Sequence, residues 1–154
     1  MPGDTARWDE IRRIIAELGH ADLRCGLVGD AAHEQHTDST LTVAEIGTLH
    51  EMGNPSTDLP RRSFIAATVD DPAVQAEFAA MEARLVAEVI AGRIDRNAAL
   101  NELGSWMADK IKERITSGQI VPPLAPSTVA KKGHDIPLLD SEQLLAAIGH
   151  EIVS

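Results

Sequence analysis

The amino-acid sequence predicts an α+β fold: a small antiparallel sheet packed against a long antiparallel helical hairpin, with extended proline-containing loops and arms. Three observations lead there. Two consecutive central stretches carry an apolar stripe at helical spacing, each opened by an aspartate and closed by a glycine. Two short segments, one near each end, have the look of strands. Proline-bearing runs between these elements suit neither a helix interior nor an inner strand.

The first helix is expected to open at Asp4 and close at Gly19, with Trp8, Ile11, Ile14, Ile15 and Leu18 on one face. Residues 23–30 follow as a strand, in which Leu23, Cys25 and Leu27 alternate with Arg24 and Gly26. The polar run 31–39 reads as a loop or hairpin tip. Residues 40–52 fit two periods. Leu41 and Val43 alternate, while Val43, Ile46, Leu49 and Met52 recur every third position, so a strand running into a short helix is expected. Gly53-Asn54-Pro55 breaks the chain, and a loop over about 53–65 is expected to protrude.

Asp71-Pro72 is a helix start, a capping aspartate before a proline in the first turn. Val74, Phe78, Met81, Leu85 and Val89 hold one face until Gly92. Asp95 opens the second helix, and Leu100, Leu103, Met107, Ile111 and Ile115 continue the stripe to Gly118. The predicted spans, 72–91 and 96–117, are each about 30 Å long, and their short link makes them antiparallel. Pro122, Pro123 and Pro126 then exclude regular structure. Ser127 is expected to cap a turn through Lys132, and Asp140 with Gln143 resembles a capping box. Residues 151–153 are expected to pair with 23–30. The whole, 1–154, is expected to be one domain with an arm over about 119–139.

Composition narrows the function classes. The chain has 24 acidic and 14 basic residues, a net charge of −10, which repels nucleic acid and anionic membranes at long range. Its four aromatic residues, Trp8, Phe64, Phe78 and Trp106, are too few for a base-stacking surface. The lone Cys25 excludes an internal disulfide and a cysteine-rich zinc site. No apolar run approaches the 18 or so residues of a membrane span, and residues 1–10 lack a signal-peptide pattern.

Candidate chemistry is sparse. His33, Glu34 and His36 lie close in sequence, and His50-Glu51 follows. Position 54 is Asn54 where a zincin helix needs its second histidine, so no metal is expected. Cys25 reads as a small core residue. Ser39, Ser63 and Ser127 lack a nucleophile-elbow context, and Gly26, Gly29 and Gly47 form no phosphate loop. Asp4, Asp71, Asp95 and Asp140 are explained as helix caps. A hydrolase built on His50 and Glu51 would lack a third polar group. No enzyme activity and no cofactor are therefore expected. Arg61-Arg62, beside Pro60 and Phe64, reads as an interface anchor, since arginine next to an exposed aromatic is typical of protein interfaces. Lys131-Lys132 is the other basic pair.

Four segments in order carry a resemblance. They are Val43-Ala44-Glu45-Ile46-Gly47-Thr48-Leu49-His50-Glu51-Met52-Gly53, then Leu59-Pro60-Arg61-Arg62-Ser63-Phe64, then Pro123-Leu124-Ala125-Pro126-Ser127-Thr128-Val129-Ala130-Lys131-Lys132, then Pro137-Leu138-Leu139-Asp140-Ser141-Glu142-Gln143-Leu144. Together they resemble the neck and tail-completion proteins of tailed bacteriophages, from about Val43 to the C-terminus. The chain departs from that pattern at Leu59, Arg62 and Ser63, where the family has isoleucine, alanine and proline. It departs again at Ser141-Glu142, where the family has threonine-glycine.

The resemblance implies a structural virion protein of the head–tail junction, assembled in the host bacterial cytoplasm and resident in the neck or tail. It implies a homo-oligomeric ring, six- or twelve-fold, that contacts head-connector, tail-terminator or tail-tube proteins. Genomic DNA would pass through without specific binding, along an acidic wall that repels phosphate. On this reading the residues that meet neighbours are His50, Glu51, Arg61, Phe64, Pro123, Leu124, Lys131 and Lys132. The alternative is an acidic regulatory or inhibitory protein that binds a basic protein surface. That role needs acids gathered on one face, whereas here they alternate with Arg and Lys along both long helices.

Overall fold

A computed structural model describes residues 3–19, 22–133, 138 and 142–153. The elements run α1 (Gly3–Leu18), β1 (Asp22–Leu27), α2 (Gly29–His33), α3 (Val43–Met52), a 3-10 turn (Pro55–Thr57), α4 (Ala66–Val69), α5 (Pro72–Ile90), α6 (Arg96–Thr116), α7 (Pro126–Lys132), α8 (Glu142–Ala147) and β2 (Ile148–Val153). The fold is α+β, with β1 and β2 forming a two-stranded antiparallel sheet.

The helical hairpin forms where the caps place it. The Asp71 carboxylate accepts from the Ala73 amide at 2.9 Å and the Asp95 carboxylate from the Ala98 amide at 2.8 Å. The two helices run in opposite directions, because Asp71 pairs with Arg114 and Glu77 with Lys110, each at 2.7 Å, and Arg84 pairs with Glu102 further along. Toward the link between the helices, Leu85 and Val89 bury against Ala99 and Leu103. The Phe78 ring lies 6.1 Å from Trp106, whose indole carries the Lys110 ammonium on its face at 5.4 Å.

Helix α6 is the centre of the molecule. Its other buried stripe, Met107, Ala108, Ile111 and Ile115, packs with Val43, Phe64, Ile120, Leu144 and Ile148 in the main core. The sheet crosses α6, in register from Asp22 opposite Val153 to Leu27 opposite Ile148. Glycine in a helix interior costs about 1 kcal/mol of propensity. Gly104 stands at the crossing because a Cβ there would lie 2.5 Å from the His150 ring. His150 Nε2 in turn pairs with Asn101 Oδ1 at 3.0 Å.

Several sequence expectations are corrected. The first strand ends at Leu27, and Gly29 opens α2, so helix replaces the start of the expected 31–39 loop. The alternation at Leu41 and Val43 yields only a bridge between Gln35 and Thr42. A capping box overrides it. The Thr42 hydroxyl accepts from the Glu45 amide at 3.3 Å while the Glu45 carboxylate accepts from the Thr42 amide at 2.8 Å. Ala125, not Ser127, holds the N-cap of α7, because Pro126 fits the first turn. The caps expected at Asp4 and Asp140 concern side chains outside the described residues. Trp8 and Ile15 of α1 are exposed, while Ile14 packs on the core.

The expected protruding loop, 53–65, is exposed at its tip, 55–58, but returns into the body: Arg62 is 9% exposed and Phe64 is fully buried. Of the expected arm over 119–139, residues 119–133 and 138 are described, and Ile120 and Leu138 among them are buried.

Candidate functional site

The site grows from the last turn of α3. Glu51 projects its carboxylate against residues 63–66 and accepts four hydrogen bonds. Ser63 Oγ donates at 2.6 Å and the Phe64, Ile65 and Ala66 amides at 2.8, 2.9 and 3.1 Å. These amides precede and open α4, so their orphan donors are satisfied by a charge from another element. Burial pushes the Glu51 carboxyl up. The bonds from the Ser63 hydroxyl and the Ile65, Phe64 and Ala66 amides outweigh it and hold the group below the usual carboxylate range. Gly53 lets the chain fold back here, since a Cβ would lie 2.9 Å from the Arg61 nitrogen.

The two arginines diverge. Arg61 is exposed, with Nε donating to the Glu51 carbonyl at 3.0 Å. Arg62 turns inward: its amide donates to the His50 carbonyl at 2.7 Å. Its guanidinium donates from Nε to the Pro122 carbonyl at 3.0 Å and from Nη2 to the Pro123 carbonyl at 3.4 Å. Beneath this contact lies a cavity of about 320 Å³, walled by Val43, Ile46 and His50 of α3, by Leu124 and Thr128 of the arm, and by Leu144 of α8. Gln143 joins α8 to the loop between α2 and α3. Its side-chain oxygen accepts from the Thr37 amide at 3.0 Å and hydroxyl at 2.7 Å.

Of the residues singled out in the sequence, His50, Glu51, Arg61, Pro123 and Leu124 come together. Phe64 does not serve as an exposed anchor, because its ring is fully buried in the main core. Glu51 faces its own chain, with its carboxylate occupied by the 63–66 donors. Lys131 and Lys132 end α7, and their side chains lie outside the described residues. The residue that sequence reasoning undervalued is Arg62. Its signal, a second arginine after Pro60, reads as a solvated or interfacial charge, and only the arm's carbonyls reveal its partner.

Among the described residues no three His, Cys, Asp or Glu side chains gather as a metal-ligand set. Burial pushes the Cys25 thiol up, away from thiolate chemistry. The acids of α5 and α6 interleave with bases, as in Glu88 with Arg93 at 2.5 Å and Glu77 with Lys110. A second cavity, about 420 Å³ and mostly apolar, opens between β1, α5 and α6, with Glu82 at its rim. Among the described residues no helix is long and apolar enough to cross a membrane. No protein-family model, curated protein or solved structure matches the chain.

Proposed function

We propose that this chain is a structural virion protein of the phage head–tail junction, a neck or tail-completion component that forms a ring and keeps the DNA channel continuous. One observation carries the reading. The segments behind the resemblance are scattered over about a hundred residues of chain, yet described residues from each of them meet in one place. The end of α3 holds 63–66 through Glu51, Arg62 holds the arm at 122–123, and Leu138 and Leu144 close the cavity behind them. This convergence supports reading the segments as one working surface.

The polar groups at this junction engage one another, which suits a scaffold. Its exposed rim, Arg61 with Val121 and Pro123, is the surface that would meet a second copy or a connector, tail-terminator or tail-tube protein. Net charge of −10 suits a wall past which DNA slides without sticking. The acidic-regulator reading has less support, because acids on both long helices pair with neighbouring bases instead of forming a single-sign face.

The test is a deletion in the phage or prophage that encodes the chain. Filled heads and separate tails should accumulate, seen by negative-stain microscopy, and supply of the chain in trans should restore joined particles. Normal infectious particles without it would refute the proposal.

A further inference from the structure

Between Ile120 and Ala125 the arm is held by little. Three of the residues from 121 to 126 are prolines, which donate no backbone hydrogen bond. Among the described residues, the hydrogen bonds made by 121–124 are two, and both come from the Arg62 guanidinium to the Pro122 and Pro123 carbonyls. The packing underneath is incomplete, since the cavity of about 320 Å³ lies directly below Leu124 and Thr128. The segment is flanked by Gly118 and Gly133, both at positive φ (72° and 80°) with open space around them. The surface it covers does not depend on it: Glu51 fixes 63–66 from α3, and Arg62 is fixed through its own amide to His50.

We propose that residues 121–133 form a flap, latched shut by Arg62, that swings off the α3 surface while the hairpin and the Glu51 junction stay folded. The closed state is held by two charge-assisted hydrogen bonds from the Arg62 guanidinium to the Pro122 and Pro123 carbonyls, which opening exchanges for bonds to water. Among the described residues no carboxylate lines the cavity, so the two arm carbonyls are the acceptors that Arg62 has. Opening uncovers an apolar floor, Val43, Ile46 and Leu144, beside a freed cation. A part that moves without unfolding its support is what a docking event would act on. The flap is a property of the isolated chain and stands whether or not the chain belongs to a virion.

Thiol-labelling kinetics on the full chain test this, with Cys25→Ala to remove the native thiol. Val43→Cys reports the flap floor and Ile111→Cys reports the α6 core, since both positions are fully buried. With Arg62 present, the floor thiol should label through an opening at least about tenfold more frequent than the opening that exposes the core thiol. Arg62→Ala should raise floor labelling by about tenfold to a hundredfold and leave core labelling unchanged. Equal labelling of the two thiols with Arg62 present would show that the arm does not open by itself and would overturn the proposal. So would a parallel rise of both in Arg62→Ala, which would make Arg62 a residue of global stability and no latch.

Discussion

Replacing Glu51 by glutamine removes one charge and little volume, and it strikes the junction that joins α3 to residues 63–66. Four donors converge on that carboxylate, at 2.6 to 3.1 Å. Hydrogen bonds to an ionised group are worth about 1.5–3 kcal/mol each, so a simple sum over the four would be about 6–12 kcal/mol. The sum overstates the loss. Glu51 is only partly buried, glutamine keeps one acceptor oxygen, and water reaches the rim. Glutamine also turns an NH2 toward backbone amides that need acceptors. A net loss of about 2–4 kcal/mol follows, a large share of the roughly 5–15 kcal/mol that holds a domain of this size. Urea denaturation at pH 7 reads it, as a midpoint lowered by about 1–2 M with the slope unchanged.

The same carboxylate has a pH signature. Its folded-state pKa is depressed, so its contribution is fully present above the unfolded value of about 4.3 and is lost as pH falls through the folded value. The gap between the parent chain and Glu51→Gln should therefore narrow below about pH 4. A variant as stable as the parent at pH 7, within about 0.5 kcal/mol, would refute the reasoning. So would a gap that persists undiminished at low pH.

Other outcomes follow from the same contacts. Gly104→Ala should destabilise by about 1–3 kcal/mol despite its better helix propensity, because its methyl meets the His150 ring; a raised melting temperature would contradict this. Phe64→Ala should cost about 3–5 kcal/mol by leaving a cavity in the core, whereas Arg61→Ala should stay within about 0.5 kcal/mol in denaturation while weakening particle joining. Asp71→Asn should lower the melting temperature, chiefly by removing the charge that pairs with Arg114, since asparagine still caps Ala73, with the difference shrinking as acid protonates the aspartate.

The hairpin was legible because its signals are local. Asp71-Pro72 and Asp95 are caps whose partners lie two or three residues on, and the Leu103, Met107, Ile111 and Ile115 stripe is the buried face itself. The terminal strand was legible over 151–153 with its pairing to the first, though it begins earlier, at Ile148. Residues 40–45 misled because the Leu41 and Val43 alternation outweighed the Thr42–Glu45 capping signature, which was present in the sequence. The junction was the least legible part. Glu51 reaches its donors across 12 to 15 positions and Arg62 reaches its acceptors across about 60, and no periodicity encodes such contacts. A charged pair beside a proline and an aromatic reads as an exposed anchor. The fold instead sends Phe64 inward and Arg62 onto the arm, and leaves Arg61 outside.

The central claim, that the chain is a neck component, is tested most directly by counting it. Quantitative mass spectrometry of purified virions, from the phage or induced prophage that encodes the chain, would measure its copies against the portal protein. A count near six or twelve per particle is what a ring at the head–tail junction predicts. Absence from the finished particle would contradict the account and point to a regulator or an assembly helper.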